Sequence, residues 1–231
     1  ARGVLRFFRD TASAGLPDEV FMVAALAHAP DGSGLQIAGL GAVHCGSLEA
    51  GAAALAPVKA FGSPVMDMMG PMPYIAANSM LDGSFVSGSR NYWKSHFLPD
   101  LSDEAIDALI DHYAHAPTPL CQIVIGNFHG EATRVPVDRT AYALRDPGFN
   151  VLIVAQWTDR KDDERLTAWC REGYATLSRF GGPRRYVNYL DADDVGERTL
   201  AAVYGSNLPR LRQIKHKYDP DNLFRRNLNI P

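Results

Sequence analysis

Two β-rich runs, Glu19 to His28 and Leu35 to Val43, flank the six residues Ala29-Pro30-Asp31-Gly32-Ser33-Gly34. Pro, Gly, Asp and Ser each favour a reversal for their own reason: a fixed φ, access to positive φ, or a side chain that bonds a nearby amide. Two strand-like runs around such a cluster predict an antiparallel hairpin. Further on, Cys121 to Phe128 and Phe149 to Trp157 predict two more strands across a long loop bearing Pro136 and Pro147. Phe85 to Leu98 is an aromatic strand-like region, and Tyr186 to Leu190 a short strand. Hairpins thus alternate with helices in place of a strict β-α repeat. The predicted class is α+β, an antiparallel sheet covered on one face by helices.

The helices are marked by caps and stripes. Ser47 caps a predicted helix through Ala60, with Leu48, Ala52, Leu55 and Val58 at helical spacing. Ser102 caps another, with Glu104 in its first turn and Ile106, Leu109, Ile110 and Tyr113 as its apolar stripe. A short helix is expected over Tyr74 to Leu81, and the longest over Asp159 to Phe180. Two more, near Asp194 to Tyr204 and Leu208 to His216, form a helical tail.

Composition excludes several classes. The 231 residues, 46% hydrophobic and 21% charged, are those of a soluble globular protein. A net charge of -3 without a basic stripe argues against nucleic acid, and no apolar stretch is long enough to cross a membrane. Cys45, Cys121 and Cys170 match neither zinc nor redox spacing, and reduced thiols favour a cytoplasmic protein. His112 and His115 have a helical metal spacing but lack a third ligand nearby in sequence, so no metal is expected. Gly39-Leu40-Gly41 lacks the rest of a dinucleotide fingerprint.

The tail reads Lys215-His216-Lys217-Tyr218-Asp219-Pro220-Asp221-Asn222-Leu223-Phe224, and upstream lies Tyr186-Val187-Asn188-Tyr189-Leu190-Asp191. Together these resemble the C-terminal signatures of berberine bridge enzyme-like FAD-linked oxidoreductases. Pro71-Met72-Pro73-Tyr74, Tyr92-Trp93-Lys94 and Gln156-Trp157 add weaker matches. The resemblance implies the substrate domain of a vanillyl-alcohol-oxidase-type flavoprotein, residues 1–190, and a C-terminal segment, 191–231, that packs on a flavin domain. That domain, which such proteins use to hold the FAD pyrophosphate, has no counterpart here, so the chain is expected to be a fragment.

On a strand, Arg184, Tyr186 and Asn188 would share one face, presenting a phenol and an amide to a flat heteroaromatic. The resemblance implies that Tyr186 and Asn188 approach the isoalloxazine. Tyr186 is the expected proton acceptor, with Arg184 on the same face to favour its phenolate, and Tyr189 a substrate contact. Gln156 stands where some relatives carry an acid, so a carboxylate base at that position is disfavoured. Gln156 and Asn127 are the expected substrate-pocket residues. His129 is read as a backbone-bonded loop histidine. The expected parent enzyme takes a hydride from a C–H beside oxygen or nitrogen, passes it to FAD, and hands electrons to dioxygen or another acceptor. Its partners are a small-molecule substrate and its own flavin domain. The rival readings are a non-catalytic α+β ligand-binding module and a metal-dependent hydrolase built on His112, His115 or His129.

Overall fold

A computed structural model describes residues 1–85 and 87–231. Among these, β1 (Val20–His28), β2 (Gln36–His44), β3 (Arg90–Leu98), β4 (Gln122–Phe128) and β5 (Gly148–Trp157) form one sheet in the order β2-β1-β4-β5-β3. Every neighbouring pair is antiparallel. The Pro-Asp-Gly cluster closes the β1-β2 hairpin as its composition predicts, with Ser33 N donating to Asp31 Oδ1 at 2.9 Å. The expected strand over Phe85 to Leu98 starts only at Arg90, and it includes Val86, which lies outside the described residues.

Eight helices punctuate the described residues: α1 (Arg2–Ser13), α2 (Leu48–Lys59), α3 (Tyr74–Ser79), α4 (Asp103–Ala114), α5 (Glu131–Arg134), α6 (Asp163–Leu177), α7 (Glu197–Tyr204) and α8 (Leu208–Tyr218). Ser47 Oγ accepts from Ala50 N and Ser102 Oγ from Ala105 N, each at 3.2 Å. The two side chains thus satisfy amides that a helix start leaves orphaned. The helix expected over Asp159 to Phe180 is shorter than its sequence suggests. Asp159 Oδ1 caps the Lys161 amide at 3.0 Å, a 3-10 turn follows, and α6 begins at Asp163. Helix α7 starts at Glu197 after Gly196, whose φ of 87° breaks the run expected from Asp194.

Strand alternation decides the layers. Met22, Ala24 and Leu26 of β1, Ile123 and Ile125 of β4, and Val151, Ile153 and Ala155 of β5 point to one face. There they form the main core with Leu5 and Phe8 of α1, Ile106 and Leu109 of α4, and Leu166, Trp169 and Cys170 of α6. Arg6 and Arg9 of α1 both reach Asp103 of α4, joining two of the covering helices. Their hydrogen bonds hold the Asp103 carboxyl at about 2. Helix α1 and the short α5, within the expected long loop, are not predicted by the sequence.

The start of the C-terminal segment is tied to the sheet. Asp193 accepts from Tyr92 Oη at 2.6 Å, Lys94 Nζ at 2.5 Å and Arg171 Nη2 at 2.8 Å. Asp194 lies 2.9 Å from Lys94 Nζ and 2.7 Å from Arg185 Nη1. Asp191 Oδ2 accepts from the Trp93 amide at 3.1 Å on the outer edge of β3, a backbone donor with no neighbouring strand. Leu200, Val203 and Leu208 are buried, whereas Leu223 and Phe224 are exposed. In the tail Asp219 accepts from the amides of Leu223 and Phe224 at 2.7 and 3.0 Å, and Pro220 follows the end of α8. Asp219 and Pro220 thus fold the tail into a turn after α8.

Candidate active site

The second face of the sheet is built differently. Register places Asn91, Trp93, Ser95 and Phe97 of β3 beside Gln156, Val154, Leu152 and Asn150 of β5 on this face. Phe128 of β4 and Phe21 of β1 share it. Phe97, Leu152 and Val154 are buried yet stand outside the main core, as residues of the opposite face must.

Loops bring further aromatics onto this side. Phe85 packs on Trp93 at 5.3 Å between centroids, and Trp93 on Tyr189 at 6.3 Å. Tyr189 meets Tyr186 edge to face at 5.0 Å, and Tyr186 meets Tyr142 at 5.9 Å. Tyr142 continues to Phe128 at 6.2 Å. Offset and edge-to-face geometry is the arrangement that ring quadrupoles favour. The result is a row of rings bordered by amides.

Burial, with Tyr186 as a neighbour, pushes the Tyr142 phenol up to about 12. Burial likewise raises Tyr189. At neutral pH both are therefore hydroxyl donors.

Tyr186 and Asn188 do meet, but not as strand neighbours. The segment is no strand: Arg185 N donates to Ala202 O at 3.2 Å, and Tyr189 N closes a 3-10 turn on Tyr186 O at 3.1 Å. In that turn Asn188 Nδ2 donates to Tyr186 Oη at 2.7 Å. The strand face that would set Arg184 beside Tyr186 does not exist, and the nearest acid to Arg184 is Asp146 at 4.0 Å. Gln156 stands on the aromatic face, its Nε2 donating to Asn91 Oδ1 at 3.1 Å.

Asn127 is the exception among the expected site residues. Its partner position in β5 is Phe149, which puts it on the helix-covered face. There it is buried, and its Oδ1 accepts from the Met22 amide at 3.0 Å, extending the β1-β4 ladder by a side chain. Alternation within β4 alone shows its polar end but not which face the other strands turn inward. Conversely, Asn91, Trp93 and Tyr142 were not expected, and only the β3-β5 register reveals the first two.

His129 Nε2 lies 2.8 Å from Val20 O, as a backbone-bonded loop histidine should. His112 stacks on Trp169 at 4.8 Å. Among the described residues no group of three or more His, Cys, Asp and Glu could hold a metal ion. Gly39 and Gly41 lie within β2, not at the strand-to-helix turn that a phosphate loop needs.

The family model described as "Berberine and berberine like" matches residues 185–231, the segment carrying Tyr186, Asn188 and the folded tail turn. The fold covers 100% of this chain and 54% of the solved BBE-like #28 from Arabidopsis thaliana, with a TM-score of 0.82 at 16% identity. This is a berberine bridge enzyme-like chain. An FAD-linked oxidoreductase of Dictyostelium discoideum is 26% identical over 192 residues, 82% of this chain and 41% of that protein. Aclacinomycin-N/aclacinomycin-A oxidase of Streptomyces galilaeus is 30% identical over 125 residues, 47% of this chain and 23% of the oxidase. A berberine bridge enzyme-like chain of this size spans less than half of those curated relatives and about half of the solved neighbour. The antiparallel sheet with its helical cover is the fold shared with the solved berberine bridge enzyme-like proteins.

Proposed function

We propose that this chain is the substrate-binding part of an FAD-dependent oxidoreductase, and that substrate and flavin meet on the aromatic face of the sheet. The observation that carries this reading is the convergence of Tyr186, Asn188, Tyr189, Trp93 and Gln156 on the face opposite the main core. Flat rings edged by neutral donors and acceptors fit an isoalloxazine, which offers a planar surface and a polar edge. Tyr186 and Asn188 would contact that ring system; Gln156 and Tyr189 would face the substrate.

When bound, the flavin supplies the redox chemistry, accepting a hydride from a C–H beside oxygen or nitrogen and passing electrons to dioxygen or another acceptor. The chain's own part is orientation and proton handling. The Tyr186 hydroxyl, whose oxygen already accepts from Asn188, would be the group that moves a proton. Gln156 cannot act as a base, so a carboxylate at that strand position has no role. The aromatic row excludes water from the reacting centre.

The FAD would be held mainly by a domain elsewhere in the parent polypeptide, on which the segment beyond Leu208 would pack. Exposed Leu223 and Phe224 support that docking. Alone, the chain would be inactive. No helix of the described residues is long and apolar enough to cross a membrane. Free Cys121 and Cys170, both buried, support a cytoplasmic setting.

The test is to purify the full polypeptide that carries this segment and record its visible spectrum, then mix it anaerobically with candidate alcohols. Bound flavin that bleaches with substrate is the expected result. A colourless full-length protein would leave the binding-module reading in its place.

A further inference from the structure

Gln156 is oriented by a short relay of amides. It faces Asn91 across the β3-β5 ladder, and its Nε2 donates to Asn91 Oδ1 at 3.1 Å. Asn91 is oriented in turn, because its Nδ2 donates to the backbone carbonyl of Ser89 at 3.0 Å. A backbone carbonyl only accepts, so Asn91 must turn its nitrogen to Ser89 and its oxygen to Gln156. Gln156 must then turn its nitrogen to Asn91. What remains is Gln156 Oε1, to which no group donates among the described residues.

Gln156 is only 3% exposed. Its Oε1 is not sealed away from solvent, so a ligand O–H or N–H can reach it and add a hydrogen bond. Trp93, one position along the same face, adds the complementary group. Its Nε1 is enclosed and has no acceptor among the described residues. An acceptor and a donor on one face suit a hydroxyl group, which both gives and takes a hydrogen bond.

We propose that Asn91 is a positioning residue which locks the Gln156 carboxamide with Oε1 turned into the site, so that the site selects ligands bearing an alcohol O–H or amine N–H. This rests on reading the aromatic face as the substrate side. It also gives the site a direction. Oxidation of an alcohol removes the hydroxyl proton, so the carbonyl product loses the bond to Oε1 and is held less well than the substrate.

The test uses the full chain, isotopically labelled, in nitrogen-edited NMR titrations with benzyl alcohol and benzyl methyl ether as probes. One hydrogen bond of ordinary net strength predicts that the alcohol binds about fivefold tighter than the ether. The Gln156 side-chain amide should shift with the alcohol and not with the ether. Asn91→Leu, on an exposed edge position, should bring the ratio to about one. Asn91→Asp, which keeps an oxygen for Gln156 Nε2, should restore it; circular dichroism checks that both variants fold. Equal binding of the two probes, with the Trp93 indole shifting, would overturn the selection and leave the face as a ligand site. Retention of the ratio in Asn91→Leu, or its loss in Asn91→Asp, would overturn the positioning role. If neither probe shifts any residue of this face up to its solubility limit, the substrate-side reading fails as well.

Discussion

The side-chain amide of Asn188 donates to the phenol oxygen of Tyr186 at 2.7 Å, inside a turn that holds the two residues together. Because the oxygen is already served, the Tyr186 proton is free to point elsewhere. Tyr186→Phe in the complete flavoprotein should therefore slow flavin reduction by about a hundredfold or more, the usual contribution of a positioned proton-transfer group. The ring contacts to Tyr142 and Tyr189 survive that change, so the dependence on substrate concentration should alter little. Anaerobic stopped-flow reduction measures both. A loss under about fivefold in the limiting rate would reduce Tyr186 to a packing residue.

Acid should destabilise the chain in two stages. Burial lowers His96 and His112, so both stay neutral in the fold at pH values where the unfolded chain protonates them. Their contribution is complete above the unfolded value of about 6.5 and is lost as pH falls through the folded values. Asp193 and Asp194 follow lower down. Burial alone would raise them, but hydrogen bonds from Lys94 to Asp193 and from Arg185 to Asp194 outweigh it and hold both below the ordinary range. Their contribution is present above about pH 4 and disappears below it. Urea midpoints taken across the acid range should show both steps, and His96→Gln should diminish the first alone.

Limited trypsin digestion should separate the C-terminal segment into a protected and a labile part. Asp191 and Asp194 bond to β3 or its neighbours, Asn207 Nδ2 donates to Val137 O at 2.7 Å, and Leu208 is buried. Beyond that point Tyr218, Leu223 and Phe224 are exposed. Cleavage at Lys217, Arg225 and Arg226 should precede cleavage at Arg185 or Arg198. Mass mapping of the first fragments decides it, and early cutting at Arg198 would contradict the docking of α7.

Helix α6 lies so close to its neighbours that Gly173 has no room for a side chain. A Cβ there would sit 2.5 Å from His112 Nε2 and 2.6 Å from Ile153 Cδ1. Alanine gains about 1 kcal/mol of helix propensity but meets an overpacking cost of about 1–3 kcal/mol. Gly173→Ala should lower the melting temperature by a few degrees, measurable by calorimetry. A rise would mean that α6 can shift outward.

Local chemistry made much of this fold legible. Ser47 and Ser102 announce their helices because a cap acts within one turn, and the Pro-Asp-Gly cluster announces the hairpin because a reversal is equally local. Helix α1 lacks such a local sign: Leu5 and Phe8 sit three apart on one face, but Ala1 offers no side-chain cap to mark its start. The segment at Tyr186 looked like a strand because its residues suit one. Its amides instead bond Ala202 and the segment itself, partners that no short window can see. Asn127 and Gln156 show the same limit: each is a polar end on an apolar strand, and only the pairing of five strands sends them to opposite faces.

The edge strand β3 keeps two separate accounts along one backbone. Tyr92 and Lys94 are bound into the ionic cluster that anchors the C-terminal segment, while Asn91 and Trp93 look onto the aromatic face. Neighbours in sequence thus answer to different pressures. Exchanges at 91, 93, 150 and 156 can retune which molecule is accepted without disturbing the anchor, so chemical repertoire can drift while the scaffold is inherited intact. A single-residue insertion in β3 would do the reverse, trading the two sets of side chains in one step and losing both at once.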